Sequence, residues 1–246
     1  MSSMEWSSVS WLWVLLVLLH SLFHVSRGCF EEERNALLDY KAFANVTDDT
    51  SPYIFPPNLT SWDDKSNCCA WPRVRCNHTT GRVIEISLNY TIPYDRDAVM
   101  YLNATIFLPF VDLQSLDLSS NYLDGWLKNE GFERLHGLTK LQVLDLSWNK
   151  FNSSIVSSLL GFSSLKSLSL AGNFLEEFQG FERLHGLTKL QVLDLSSNNR
   201  LNSSILSSLL GFSSLKSLSL AGNNMEGPIP IQGMPLLTSI YRPRPI

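Results

Sequence analysis

Leucine recurs in this chain in a fixed phase with asparagine, as L-x-x-L-x-L-x-x-N. The pattern occurs five times and ends at Asn121, Asn149, Asn173, Asn198 and Asn223. Its copies begin 28, 24, 25 and 25 residues apart. One turn of chain with this pattern cannot bury its leucines alone, so successive turns must stack and share a core. The period therefore predicts a solenoid in which each repeat forms one coil.

Within each copy, the L-x-L segment favours a strand, because alternating residues place one face inward. An amphipathic helix fits poorly, since leucines at i, i+3 and i+5 do not share a helix face. The asparagine amide can bond backbone groups of neighbouring coils, which predicts a ladder of buried asparagines. A period of about 25 residues with this spacing is the signature of a leucine-rich-repeat solenoid. We therefore expect an α/β fold with a curved parallel β-sheet on its concave face.

Two of these coils occur twice as a block. Residues 131–173 and 180–223 are nearly identical, and both begin GFERLHGLTKLQVLDLS. The second copy differs at a handful of positions and carries one inserted residue at Asn199–Arg200. This near identity indicates an internal duplication of a two-coil unit.

The N-terminus reads as a secretory signal peptide over residues 1–28. The apolar stretch from Trp11 to Val25 is shorter than the roughly 20 residues that span a membrane. Small residues at Ser26 and Gly28 suit a cleavage site, which would leave Cys29 as the first mature residue. The ten residues before Trp11 contain no Lys or Arg, so a retained anchor stays open as the alternative. No membrane span is expected in the mature chain.

Secretion determines how the four cysteines, Cys29, Cys68, Cys69 and Cys76, are interpreted. In an oxidising compartment an even number predicts disulfides, and four cysteines allow three pairings. A bridge between the adjacent Cys68 and Cys69 is disfavoured by strain. A zinc site is disfavoured too, because no C-x2-C pair occurs and His78 is the only histidine nearby. No metal or cofactor is expected.

Seven N-x-[ST] sequons fit the same route and predict a glycosylated surface. They lie at Asn45, Asn58, Asn77, Asn89, Asn103, Asn152 and Asn202.

Composition and motifs exclude two classes of function. The formal net charge is −4 without a basic stripe, which argues against nucleic-acid binding. The sequence has no G-x-S-x-G, H-E-x-x-H or phosphate-cradling glycine loop. We therefore expect a protein that is not an enzyme.

The segments CFEEERNALLDYKAF, LTSWDDKSNCCAWPRVRC and GRVIEISL resemble the N-terminal cap of plant extracellular leucine-rich-repeat proteins. That family includes receptor-like proteins, receptor kinases and polygalacturonase-inhibiting proteins. The segment LKSLSLAGNNMEGPIP resembles its plant-specific repeat. The resemblance implies disulfides Cys29–Cys68 and Cys69–Cys76. One departure is Arg73, which occupies a position that is usually glycine in the family.

These patterns divide the chain into a signal peptide (1–28), a cap (29–80), about six coils (81–240) and an uncapped tail (241–246). The cap should contain a helix from about Glu31 to Ala44, and the first coils include an irregular segment at 91–110. Because no C-terminal cap, membrane helix or kinase motif follows, we expect a truncated family member.

The strand residues between the leucines should face a ligand on the concave face. Three stacked aspartates, Asp117, Asp145 and Asp194, favour a cationic partner, and Trp148 is a candidate aromatic anchor.

The resemblance implies an extracellular recognition module, like the start of a receptor-like protein ectodomain in defence or developmental signalling. Its partners would be a protein or peptide ligand and a co-receptor kinase. Its location would be the apoplast, or the plasma membrane if the full-length form carries an anchor. A secreted inhibitor of cell-wall-degrading enzymes and a non-functional truncated product remain the alternatives.

Overall fold

The computed structural model describes residues 29–44, 59–92, 99–128, 131–176, 181–198, 200–209 and 211–226, with the backbone of 239–241. The expected signal peptide and the sequons Asn45 and Asn58 lie outside the described residues. In the described part of the chain, no helix combines the length and apolar character needed to cross a membrane.

The strands are short and recur once per coil. They are β1 (Val74–Cys76), β2 (Val83–Ser87), β3 (Tyr101–Leu102), β4 (Ser115–Asp117), β5 (Gly125–Trp126), β6 (Val143–Asp145), β7 (Ser167–Ser169), β8 (Val192–Asp194), β9 (Ser217–Ser219) and β10 (Ser239–Tyr241). One sheet has the order β1-β2-β4-β6-β7-β8-β9-β10, and β3 pairs with β5 in a second, smaller sheet. All pairs are parallel except β1 with β2, which is antiparallel.

Helical segments form the side of each coil opposite the main sheet. The α-helices are α1 (Glu31–Ala44), α2 (Ile155–Ser158) and α3 (Ile205–Leu209). The 3₁₀-helices are Leu59–Ser61, Cys68–Ala70, Ala104–Phe107, Phe132–Leu135 and Phe181–Gly186. The expected α/β leucine-rich-repeat solenoid is thereby confirmed, and so is the helix from Glu31 to Ala44.

The repeated leucines form a continuous buried column. The central residues of the repeat strands are register partners from coil to coil, and all are buried: Leu116, Leu144, Leu168, Leu193 and Leu218. On the helical side, buried phenylalanines fill the same core, and the rings of Phe132 and Phe162 meet edge to face at 5.9 Å. Each coil therefore buries its apolar row against its neighbours, as the leucine period predicts.

The asparagine ladder is confirmed at atomic level. Asn149 donates from Nδ2 to the carbonyl oxygens of Leu118 in the preceding coil and Leu146 in its own coil, both at 3.0 Å. Its Oδ1 accepts the backbone N–H of Leu123 at 2.9 Å. In the first coil Thr91 takes this place, and its backbone N–H donates to Asn121 Oδ1 at 2.8 Å. The ladder thus satisfies buried backbone groups that the turns leave without partners.

The N-terminal cap covers the first coil through helix α1. Three glutamates begin this helix, where negative charge complements the helix dipole. Buried Glu33 accepts from the backbone N–H groups of Phe30 and Val83, each at 3.3 Å, and so ties the helix start to β2. Further along, the Tyr40 hydroxyl bonds Thr91 Oγ1 at 2.6 Å. The cap is therefore joined directly to the first strand and to the ladder.

Two disulfides and a pair of tryptophans close the cap. Cys29 is joined to Cys68 and Cys69 to Cys76, with Cα–Cα distances of 5.7 and 5.5 Å. This is the pairing that the resemblance implies. The buried rings of Trp62 and Trp71 stack at 5.2 Å between centroids. The cap strand β1 then extends the sheet by one antiparallel strand, an addition that the sequence pattern does not predict.

Candidate functional site

The exposed face of the parallel sheet, called here the concave face, carries two rows of side chains. Residues on either side of each buried leucine point outward, and the parallel register aligns them from coil to coil. The first row is Glu85, Ser115, Val143, Ser167, Val192 and Ser217. The second row is Ser87, Asp117, Asp145, Ser169, Asp194 and Ser219. Serines make up half of each row. The charged residues of the two rows are the three aspartates and Glu85, which forms a salt bridge with Arg75.

The three predicted aspartates share the second row, but their spacing is unequal. Asp117 and Asp145 are direct register partners, whereas Ser169 separates Asp145 from Asp194. In each case Oδ1 accepts the backbone N–H two residues further on, at 2.9 Å. This local bond fixes each carboxylate in the same orientation. The aspartates therefore form a preorganised acidic row, and serines occupy the other positions of that row.

The pKa of Asp145, the middle aspartate of the row, is shifted by its surroundings. Burial raises the pKa of Asp145 above its ordinary value, and the charges of Asp117 and Asp194 raise it further. The hydrogen bonds from Ser147 act in the opposite direction. A cationic group on this row would offset the repulsion among the three carboxylates.

The rim of the concave face has an unusual backbone. The residue before each ladder position lies in the left-handed region: Tyr90 (φ 55°), Ser120 (58°), Trp148 (54°), Gly172 (63°), Ser197 (56°) and Gly222 (68°). Asparagine and glycine tolerate this region best, and a bulky residue there is uncommon. Tyr90 and Trp148 are therefore strained positions that are held by the coil-to-coil hydrogen bonds on either side.

An open cleft of about 390 Å³ runs along this rim. Its lining is Tyr90, Ser120, Tyr122, Trp148, Asn149, Lys150, Gly172 and Phe174. Three of its rings are unusually exposed: Trp148 at 58%, Phe174 at 55% and Tyr90 at 54%. Lys150 Nζ lies 3.6 Å from Asp124 Oδ2, so the charge of this lysine is balanced locally. We call this feature the aromatic cleft.

The floor of the aromatic cleft depends on a glycine. A Cβ on Gly172 would lie 2.7 Å from Cδ2 and Cε3 of the Trp148 indole. The ring therefore rests against the next coil in space that only glycine leaves open.

The duplicated block provides an internal comparison. Between residues 131–176 and 180–226 the two copies differ at six aligned positions and by one insertion. Three of the six positions in the first copy line the cleft, namely Trp148, Lys150 and Phe174. The second copy has Ser197 and Asn224 where the first has Trp148 and Phe174. The other three differences exchange one apolar residue for another: Phe151, Val156 and Leu175 are buried, and the second copy has Leu201, Leu206 and Met225 there. The two copies thus keep an apolar core, whereas at the cleft aromatic residues are exchanged for polar ones.

The cap contributes a cation beside the first coil. Arg73 adopts φ 73°, which explains why glycine suits this position in the family. Its Nη1 donates to Ser87 O at 3.0 Å, Asn89 O at 2.9 Å and Asn89 Oδ1 at 2.7 Å. Burial lowers the pKa of Arg73, while the charge of Asp117 raises it. The side chain thus offsets its backbone strain with bonds to the end of β2 and to Asn89.

The sites predicted from sequence are distributed over several surfaces. The three aspartates lie on the concave face, and Trp148 lies beyond the end of β6 in the aromatic cleft. Among the sequons, Asn152 is exposed, whereas Asn77, Asn89, Asn103 and Asn202 are partly buried. Glycosylation of each remains a prediction. Within the described ranges, His, Cys, Asp and Glu form no group of three suited to a metal ion.

Sequence reasoning missed the other rings of the cleft. Tyr122 and Phe174 follow the ladder asparagines directly, a position that the repeat pattern leaves unspecified. The signal that could have found Phe174 was the comparison of the two copies, which pairs this residue with Asn224.

Known proteins resemble the chain in both its cap and its coils. The family described as "Leucine rich repeat N-terminal domain" matches residues 30–77, and leucine-rich-repeat families match 112–135, 137–160 and 163–211. The chain is 37% identical over 171 residues to "Putative receptor-like protein 8" and 38% identical over 165 residues to "Receptor-like protein 9a", both of Arabidopsis thaliana. Each alignment covers 67% of this chain and 16% of the relative. The chain therefore spans about a sixth of the length of these curated relatives.

A solved structure supports the same assignment. The ectodomain of the plant membrane receptor kinase GASSHO1/SCHENGEN3 from Arabidopsis thaliana, in complex with CASPARIAN STRIP INTEGRITY FACTOR 2, superposes with a TM-score of 0.61 at 28% identity. The superposition covers 85% of this chain and 23% of that chain. From its cap motif, its repeats and these relatives, the chain belongs to the leucine-rich-repeat family of plant extracellular receptor-like proteins.

Proposed function

We propose that the chain is the recognition part of an extracellular receptor-like ectodomain, and that it binds a protein or peptide ligand on the concave face. The observation that carries the proposal is the acidic row of Asp117, Asp145 and Asp194, which the backbone holds in one orientation. Two disulfides and several sequons support secretion. The process served is defence or developmental signalling, with a co-receptor kinase as a further partner.

The geometry supports binding more than chemistry. The carboxylate of Asp145 is hydrogen-bonded to Ser147, and its row neighbours are serine and aspartate side chains on a parallel sheet. Such a sheet presents fixed side chains at regular spacing, which suits complementarity to an extended partner. The acidic row selects basic partners and speeds their encounter more than it adds to affinity.

Binding of extracellular proteins and peptides to the secreted, oxidised chain tests this proposal. A partner should bind at micromolar concentration, and its affinity should fall as salt rises. The double variant Asp117→Asn/Asp145→Asn should weaken binding by about tenfold, the scale of a 1.4 kcal/mol loss.

The matched control is Asp112→Asn. This aspartate is paired with Lys140 at 2.6 Å and lies before β4, outside the acidic row. The substitution removes one negative charge and leaves the residues of the concave face unchanged, so partner binding should persist. A partner whose affinity ignores the acidic row but falls with Asp112→Asn would refute the proposed surface.

A further inference from the structure

We propose that the aromatic cleft is a binding site for a proline-rich segment in the polyproline II conformation that carries a basic residue. The cleft borders the concave face along its rim, so this inference deepens the proposed function by naming the class of ligand. It rests on the exposed aromatic rings of the cleft, on the backbone N–H groups that are already hydrogen-bonded, and on the adjacent acidic row.

Six backbone N–H groups of the cleft are already bonded within the solenoid. The N–H groups of its floor already bind the next coil: Tyr90 to Ser119 O at 2.9 Å, Ser120 to Ser147 O at 2.8 Å, Trp148 to Ala171 O at 2.7 Å and Gly172 to Ser196 O at 2.8 Å. Those of Lys150 and Phe174 bind Leu123 O and Phe151 O at 2.8 and 2.9 Å. These six N–H groups are therefore not available to the main chain of a ligand, which favours recognition through side chains.

The shape and chemistry of the lining suit an extended, proline-rich segment. The lining residues come from four successive coils, and coils spaced about 4.8 Å apart give a cleft roughly 14 Å long. A polyproline II segment rises about 3.1 Å per residue, so four to five residues fill this length. Such a segment has no internal hydrogen bonds, and proline-rich ligands dock on aromatic-lined grooves. The exposed rings of Tyr90, Trp148 and Phe174 provide that lining without demanding ligand N–H groups.

The charges in and beside the cleft suit a ligand that carries a basic residue next to its prolines. Within the lining, the lysine Lys150 is balanced by Asp124, so the cleft itself favours an uncharged ligand segment. The acidic row lies three residues before the rim, a distance of about 10 Å along an extended chain. A Lys or Arg next to the prolines can reach Asp117 or Asp145 from the cleft. Such a basic residue would offset the repulsion from Asp117 and Asp194, which adds to the effect of burial in raising the pKa of Asp145.

The duplication supports the same assignment. The backbone at Trp148 (φ 54°) and at its counterpart Ser197 (φ 56°) is the same, so the indole is not needed for this turn to form. Phe174 and its counterpart Asn224 likewise occupy equivalent bridges, to Asn152 and Asn202. The coil therefore does not need Trp148 or Phe174 in order to fold, and we assign these two rings a role at the surface.

Fluorescence anisotropy with a labelled synthetic probe tests the proposal. The probe is a fluorescein-labelled peptide of one lysine followed by a run of prolines, and the two control probes replace every proline by alanine or the lysine by glutamate. The protein is the oxidised chain and three variants: Trp148→Ser and Phe174→Asn, which install the residues of the second copy, and Ser197→Ala, which lies outside the cleft. The thermal unfolding midpoint of each variant is measured alongside binding.

The proline probe should bind at least about tenfold more tightly than its alanine analogue, and the glutamate analogue should bind more weakly. Trp148→Ser and Phe174→Asn should each weaken binding by about tenfold, since a buried aromatic anchor dominates such contacts, and Ser197→Ala should not. Equal binding of the proline and alanine probes would overturn the proposal, as would unchanged binding by both cleft variants.

The two proposals fail separately. If the proline probe is not selected but a partner still depends on Asp117 and Asp145, the cleft assignment falls and the recognition surface stands. If the probe binds as expected but no partner depends on the acidic row, the proposed function falls instead.

Discussion

The indole of Trp148 occupies the place that a side chain on Gly172 would fill, with Cδ2 and Cε3 only 2.7 Å from the ideal Cβ position. The equivalent pair in the second copy is Gly222 and Ser197, and there a Cβ would lie 3.1 Å from the serine Oγ. Both glycines have positive φ, at 63° and 68°. The two glycines therefore have the same kind of backbone conformation, but only Gly172 leaves room for an aromatic ring.

This difference predicts that Gly172→Ala and Gly222→Ala have similar effects on stability and different effects on binding. Each places alanine in the left-handed region, which costs about 1–2 kcal/mol of unfolding free energy. Only Gly172→Ala displaces the indole, so only this variant should lose the proline probe. Denaturant unfolding and anisotropy measure the two effects separately. Equal loss of probe binding in both variants would contradict the role of the ring.

Asn149→Ala should be strongly destabilising. The change leaves the buried N–H of Leu123 without its Oδ1 acceptor, which costs about 1–3 kcal/mol. It also removes one of the two amide donors to the carbonyls of Leu118 and Leu146, which keep only Asn121 and Asn173, respectively. Asn223→Ala is the matched control, because Asn223 makes the same kind of bonds from a half-buried position that water can reach. Urea unfolding should show the larger loss for Asn149→Ala. Equal losses would mean that burial does not set the strength of the ladder.

Arg73→Ala should cost more stability than Arg73→Gly. Alanine keeps the left-handed strain at φ 73° and loses the bonds to Ser87 and Asn89, whereas glycine loses the bonds but relieves the strain. The two variants should differ by about 1 kcal/mol in unfolding free energy, the usual cost of a left-handed residue with a Cβ. A glycine variant less stable than the alanine variant would show that the positive φ is not a strained state here.

Asp145→Asn should stabilise the chain at neutral pH. The folded-state pKa of Asp145 is raised, so its contribution to stability is fully present below the unfolded pKa of about 3.9 and is lost as pH rises through the folded value. Asparagine keeps the bond from the Ser147 N–H without the charge. The gain should stay below about 1 kcal/mol at pH 7 for this partly exposed group. The gain should vanish below about pH 4. Thermal unfolding at both pH values provides the check, and a less stable Asn variant at pH 7 would reverse the expected sign.

The sequence predicts the fold better than it predicts the site. Leucines such as Leu144 and asparagines such as Asn149 recur in phase, and their burial follows from stacking alone. The α1 helix and the strand residues between leucines follow from the same local patterns. The antiparallel pairing of β1 does not, because it depends on how the cap folds back onto β2.

The site is harder to predict because its residues occupy positions that the repeat does not constrain. The sequence predicts that Asp117 and Asp145 are exposed, because the alternation of strand residues places their side chains outward. Phe174 lies just after a ladder asparagine, where the direction of the side chain depends on the turn. The sequence shows that Arg73 stands where the family usually has glycine. The hydrogen bond to Asn89 that offsets its backbone strain joins residues 16 positions apart, so the local sequence does not predict it.

The central claim, that the exposed sheet face is the recognition surface, is tested most directly by placing a glycan on it. Ser167→Asn creates an N-L-S sequon at the start of β7, in the first row of the concave face. Gly137→Asn creates an N-L-T sequon in the turn after Phe132–Leu135, where an added Cβ meets nothing within 4 Å. Both variants are expressed through the secretory pathway, and mass spectrometry establishes that each new site carries sugar.

Partner binding by the two glycosylated variants is then compared with that of the unmodified chain. A glycan at position 167 should abolish binding, because it covers the acidic row from the adjoining strand, and a glycan at position 137 should leave binding unchanged. Binding that survives the glycan at 167 and is lost with the glycan at 137 would contradict the account.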